Sequence, residues 1–161
     1  MRRHSRRRRK RARCCAKASA GSTPSGITFP AYGILAEEGG EQTGEEDTRW
    51  IVDPLDGTTN YAHGLPIFCV SIALERVGEV ILGMVHDPIR EKAYVAERGG
   101  GATLNGEPIR VSDTDEQIQA LIATGFPYDR PKMREALELF GRFADITRGM
   151  RRLGSTALDL C

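Results

Sequence analysis

With 161 residues and 40% hydrophobic content, the chain is long enough for one domain with its own core and too apolar for a disordered tail. Its net charge of +1 conceals an imbalance: the first 17 residues hold ten of the 23 Lys and Arg, while residues 18–161 carry 13 basic against 22 acidic side chains, a formal −9. No run approaches the roughly 18 apolar residues of a membrane span, and four cysteines without a CxxC pair indicate neither a zinc site nor a disulfide framework.

The first segment, residues 1–28, opens with "MRRHSRRRRKRAR", and no Asp or Glu occurs before Glu37. Such a run suits a nuclear-localisation or nucleic-acid tract, or an Arg-rich transit peptide. No aromatic side chain interleaves it to stack on bases, so the reading favoured is a solvated, disordered or mistranslated leader, with nucleic-acid binding disfavoured. The adjacent Cys14 and Cys15, Cys69 within an apolar run and the final Cys161 fit a reducing, cytoplasmic chain.

From Phe29 the pattern becomes regular, and residues 29–161 are taken as one domain. Tyr32 to Ala36 reads as a short strand ending in Glu37 and Glu38, followed by a Gly- and Glu-rich loop. Trp50 to Val52 is the next strand. "PIFCVSIALERV" is almost continuously apolar, which predicts a strand covered on both faces. "EVILGMVHDP" and "KAYVAERG" continue the sheet across a "DPIR" turn, and "LNGEPIRVS" adds an Asn-Gly hairpin. "ALIATGF" is a further strand. Between Pro131 and Ile146, the residues Met133, Ala136, Leu137, Phe140, Phe143 and Ala144 recur at helical spacing behind a first-turn proline, predicting an amphipathic helix packed on the sheet. A strand-like "GMRRLG" then leads to "STALDLC", with Ser155 placed to cap a new helix. The chain stops about two turns into it, which reads as an interruption.

The chemistry concentrates in "WIVDPLDGTTNYAHG", residues 50–64. Asp53 and Asp56 stand three apart across a proline where strand gives way to turn, so both carboxylates and the Leu55 carbonyl can converge. Hard oxygen donors of this kind suit Mg²⁺ or Mn²⁺. Glu37, ending the neighbouring strand, could add a carboxylate. The N–H groups of Gly57 and Thr58 could receive a phosphate at a helix start. A cation beside a phosphate cradle makes a phosphoryl-transfer site. Taken alone, Asp-x-x-Asp-Gly is more readily a simple turn; the whole fifteen-residue string, with a carboxylate pair upstream, reverses that balance. His63, His86, Tyr61 and Phe68 are read as loop, structural, core or rim residues.

The string "WIVDPLDGTTNYAHGLPIFCVSIAL" resembles the first signature of the inositol monophosphatase family, and "GILAEEGG", "GGGATLNGEPIRVS", "ATGFPYD" and "RRLGSTALDL" follow in that family's order and spacing. The resemblance implies an α+β fold, a layered α/β/α sandwich with a mainly antiparallel sheet. It implies Mg²⁺-dependent, lithium-sensitive hydrolysis of a phosphorylated polyol or sugar, and a homodimer at full length. Residue by residue, it gives Glu37, Asp53 and the Leu55 carbonyl as ligands of a first metal, with Asp53 and Asp56 as part of a second site. Thr58 with Glu37 positions the attacking water, the amides of Gly57 and Thr58 cradle phosphate, and Gly154 and Thr156 line the alcohol part of the substrate. Glu38 stands behind the ligands.

Two departures accompany the resemblance. The family's upstream acidic residue, partner of the site threonine, has no counterpart before Glu37, and its later Trp-Asp metal ligand lies beyond Cys161. The expectation is therefore a truncated domain, inactive or weakly active by itself. A metal-binding pseudoenzyme and an Arg-rich nucleic-acid binder are the alternatives outside catalysis. A haloacid-dehalogenase phosphatase is disfavoured because two residues, not one, separate the aspartates.

Overall fold

The computed structural model describes residues 32–36, 40–44, 47–127 and 129–161. The basic leader, Glu37, Glu38 and Tyr128 lie outside the described residues.

The apolar runs build one eight-stranded sheet: β1 (Gly33–Ala36), β2 (Gly40–Gln42), β3 (Thr48–Asp56), β4 (Cys69–Arg76), β5 (Glu79–Asp87), β6 (Lys92–Glu97), β7 (Gly101–Leu104) and β8 (Glu107–Ile109). The spatial order is β2-β1-β3-β4-β5-β6-β7-β8. Only β1 and β3 run parallel; every other pair is antiparallel, as expected for a mainly antiparallel α+β sheet. The Asn-Gly hairpin joins β7 to β8, with Asn105 at φ 51° and Gly106 at φ 88°, and the Asn105 carboxamide accepts from the Ala93 amide at 2.7 Å. The "DPIR" turn is fixed by Asp87, which is 1% exposed, accepts from the Ile89 and Arg90 amides and pairs with the Arg90 guanidinium at 2.5 Å. Burial acts to raise the Asp87 carboxyl, but the Arg90 side chain and the two amides outweigh it and hold the group below its ordinary value.

Three differences from the sequence reading have physical causes. The Gly- and Glu-rich loop contains β2, a short polar strand; an exposed edge strand buries no apolar side chain and so leaves no hydrophobic signature. β4 is not covered on both faces among the described residues: Cys69 is buried, but Val70 to Glu75 are half-exposed. The apolar run recorded composition, not cover. The strand read at "ALIATGF" is only β9 (Leu121–Ala123), and it pairs in parallel with β10 (Gly149–Arg151) as a separate two-stranded sheet.

The amphipathic helix α2 (Arg130–Ala144) forms with its proline in the first turn. Its main packing among the described residues is on the small sheet, its Ala136, Phe140 and Phe143 facing Ile122 and Met150. Leu137 is 52% exposed, so the apolar stripe is narrower than its sequence spacing suggests. Two short helices complete the described chain: α1 (Thr58–Ala62) directly after β3, and α3 (Thr156–Asp159) against β4 and β5. No helix among the described residues is long and apolar enough to cross a membrane.

Candidate functional site

In a regular strand, residues three apart point to opposite faces. Asp53 and Asp56 escape this rule through a β-bulge. Asp53 pairs with Ser71 and Asp56 with Cys69, so three steps along β3 match two along β4, with the extra residue falling at Pro54–Leu55. Proline has no N–H to give the ladder, and the Leu55 amide turns instead to the Asp53 carboxylate at 3.0 Å. The strand thus continues to Asp56, beyond the turn expected after Val52, and both carboxylates line one cleft of about 310 Å³.

Two walls enclose that cleft. The first is the β3–α1 segment: Asp53, Leu55, Asp56, Gly57 and Thr58. The second comes from the carboxyl ends of the paired β9 and β10, with Thr124, Gly125 and Phe126 after one strand and Arg152, Gly154, Thr156 and Asp159 after the other. Every described residue proposed from the sequence as part of the site is therefore on this cleft. Glu37 is outside the described residues. Among the described residues no three His, Cys, Asp or Glu side chains come close enough together to hold a metal ion.

Buried contacts clamp the walls together. Gly57 sits at φ 90°, and a Cβ there would stand 2.9 Å from the Ile67 carbonyl oxygen and 3.3 Å from that of Gly154. Asn60, 8% exposed, donates from its carboxamide to the carbonyls of Ile67 at 2.8 Å and Leu153 at 2.7 Å. Asp56 reaches across as well: its Oδ2 accepts from the Ser155 hydroxyl at 2.7 Å and from the Ala157 amide at 2.8 Å. Ser155 occupies the N-cap position of α3 as expected, but its side chain caps nothing and serves Asp56 instead.

The electrostatics around the clamp are uneven. Cys69, fully buried, places its Sγ 3.5 Å from Ser155 Oγ and 3.7 Å from Asp56 Oδ2. Burial pushes this thiol up to about 12; the Ser155 contact opposes that, and the charges of Asp56 and Asp53 add to it. Asp159 Oδ1 is buried and has no hydrogen-bond partner, and burial, then the charge of Asp56, raises that carboxyl above its ordinary value. Asp53, Asp56 and Asp159 line the same cleft without converging on one point, and the orphaned Asp159 oxygen is a hard donor of the kind a divalent cation prefers. Arg152, the cation of the same cleft, stands with its guanidinium carbon 5.2 Å from the centroid of the Phe126 ring.

Sequence reading missed Asn60, Thr124, Phe126, Arg152 and Asp159. A signal existed for one of them: Asp159 is an acid inside the otherwise apolar "ALDL". His63 is exposed, with Nδ1 2.8 Å from the Thr59 carbonyl, and His86 lies within β5. Tyr61 meets Phe68 edge-to-face at 5.1 Å, and Phe68 is 4% exposed.

Comparison with known proteins places this geometry. A family model described as "Inositol monophosphatase family" matches residues 23–161. An inositol-1-monophosphatase of Mesorhizobium japonicum is 47% identical over 134 residues, covering 81% of this chain and 50% of the relative. A protein named Nus factor SuhB from Pseudomonas aeruginosa is 43% identical over 138 residues, covering 82% and 51%. Among solved structures, the extragenic suppressor protein suhB of Bartonella henselae superposes with a TM-score of 0.78 at 44% identity, covering 82% of this chain and 51% of its own. The inositol monophosphatase of Anabaena gives 0.77 at 46% identity, covering 82% and 53%. The chain spans about half the length of the relatives it matches.

Proposed function

Since this chain belongs to the inositol monophosphatase family, we propose that its cleft is the cation- and phosphate-holding part of a phosphomonoesterase acting on inositol monophosphate or a related polyol or sugar phosphate. The observation that carries the reading is the β-bulge, which turns Asp53 and Asp56 onto one cleft with Thr58, Gly154 and Thr156.

In this reading Asp53, the Leu55 carbonyl and Asp56 hold Mg²⁺, or Mn²⁺ in its place, and Glu37 adds a carboxylate. When bound, the cation polarises the phosphoryl oxygens and lowers the pKa of the attacking water. The chain's own groups do the rest. The Gly57 and Thr58 amides receive the phosphate oxygens, made approachable by a residue without Cβ. The Thr58 hydroxyl, with Glu37, orients the water in line with the scissile bond. Gly154 and Thr156 bound the space for the alcohol. Asp56 Oδ2, committed to Ser155 and Ala157, fixes the second wall against the first. Homodimer formation and a cytoplasmic setting belong to the same proposal.

The test is cation-dependent ligand binding. Calorimetry of the 161-residue chain with inositol 1-phosphate should show binding with Mg²⁺ that disappears in EDTA and falls by about a hundredfold in Asp53→Asn, which removes a cation ligand. Any phosphate release that accompanies binding should follow the same pattern. Equal binding in EDTA, or an undiminished Asp53→Asn variant, refutes the assignment.

A further inference from the structure

The cleft contains a cation that the proposed chemistry does not use. Arg152 is exposed at the cleft and has no ion pair among the described residues, although Asp53, Asp56 and Asp159 line the same space. A guanidinium never loses its charge, so its failure to join the nearest carboxylates requires something else to position it. Phe126 supplies that. The ring lies 5.2 Å below the guanidinium carbon, within the range of a cation–π contact. The ring is itself in contact with Phe140 of α2, the two rings tilted with centroids 5.6 Å apart. Helix, ring and guanidinium in contact therefore present a charged, planar donor fork at the cleft, with no ion pair or hydrogen bond to its N–H groups among the described residues.

The position matters as much as the charge. Asp53, Asp56, Gly57 and Thr58 belong to the first wall, while Arg152 and Phe126 belong to the second. A phosphoester whose scissile group sits on the first wall must turn its alcohol part toward the second.

We propose that Arg152, held by Phe126, is a substrate-binding residue that reads a second anionic group, phosphate or carboxylate, on the alcohol part of the phosphoester. Bidentate hydrogen bonding from guanidinium to such a group is charge-assisted and geometrically selective. The stack also limits the side-chain entropy that a free arginine loses on binding. An alcohol bearing only hydroxyls gains less from the same fork. The inference rests on the function proposed above and specifies which phosphoesters the site favours.

The experiment compares inositol 1-phosphate with inositol 1,4-bisphosphate, both titrated calorimetrically into the full 161-residue chain at saturating Mg²⁺. The parent chain should prefer the bisphosphate. Arg152→Gln should weaken bisphosphate binding about tenfold more than monophosphate binding, the size of one charge-assisted contact. Arg152→Lys, which keeps the charge but not the fork, should recover part of the preference, and Phe126→Leu should lower it with the arginine intact. The three variants approach the same contact independently, so a folding defect in one leaves the others decisive. A bisphosphate-to-monophosphate ratio unchanged across folded variants overturns the inference and leaves the phosphatase reading standing. Failure of the parent chain to bind either ester removes that reading, and this inference with it.

Discussion

Asp56 is the position where removing one carboxylate should separate the clamp from any role in holding a cation. In Asp56→Ala, Ser155 and Ala157 lose a charged acceptor at 2.7 and 2.8 Å, and Ser155, 0% exposed, has no water to turn to. Hydrogen bonds to charged groups contribute about 1.5–3 kcal/mol each, so the two together set a loss of about 3–6 kcal/mol. Removing one of three neighbouring carboxylates relieves repulsion and returns about 1 kcal/mol, leaving a net destabilisation of about 3 kcal/mol. For a domain of this size that corresponds to a fall in Tm of roughly 10 °C. Asp56→Asn keeps one acceptor oxygen but presents N–H donors where two donors already point, and should cost about half as much. Urea unfolding in EDTA separates this from any cation effect. Combining Asp56→Ala with Ser155→Ala should give a coupling energy above about 1 kcal/mol. An Asp56→Ala chain within about 0.5 kcal/mol of the parent would refute the clamp, because surface substitutions commonly fall in that range.

Two other substitutions test the same region. Gly57→Ala places a Cβ 2.9 Å from the Ile67 carbonyl at φ 90°, where L-residues are strained; unfolding should show a loss of about 2 kcal/mol or more, and a neutral result would mean that the β3–α1 turn is not as tight as described. Asp159 has a raised carboxyl in the folded state, so its stability contribution is full below the unfolded value near 3.8 and is lost as pH rises through the folded pKa. In EDTA, Asp159→Asn should therefore match the parent at low pH and become the more stable chain as pH rises above 3.8; a difference that does not vary with pH contradicts the buried-carboxyl account.

The strands were legible where apolar residues run together, as in β4, β5 and β6, and β2 was missed, because its Gly-Glu-Gln has nothing apolar to show. The sequence placed α2 correctly within two residues, because the spacing of Met133, Ala136, Phe140 and Phe143 is a local property. It could not say which sheet that face meets, since periodicity defines a stripe but not its partner. The site divides along the same line. Asp53, Leu55, Asp56, Gly57 and Thr58 are adjacent in sequence, so their joint presence was visible. Phe126 and Arg152 are 26 positions apart and meet only because β9 and β10 pair in parallel. Even the aspartate pair was legible for an incomplete reason: spacing of three in a strand would have opposed them, and the bulge that reconciles them has no sequence signature beyond Pro54.

The clamp changes how the candidate site should be understood. A carboxylate reserved for a cation could be expected to stand free, yet Asp56 spends one oxygen on Ser155 and Ala157, while Asn60 bridges Ile67 and Leu153 and Gly57 admits the Gly154 carbonyl. Each of these contacts joins residues 56–68 to residues 153–157, about a hundred positions later. Closing so long a loop costs configurational entropy, and only the cooperative formation of several contacts at one place offsets it. The cleft therefore exists only when the two walls are docked, and docking is achieved by the site's own residues. Under the proposed function, ligand binding and stability are coupled at Asp56: a ligand that draws on one carboxylate oxygen acts on the hydrogen bonds made by the other, and a change in the 153–157 segment alters the Asp53–Thr58 wall without touching it.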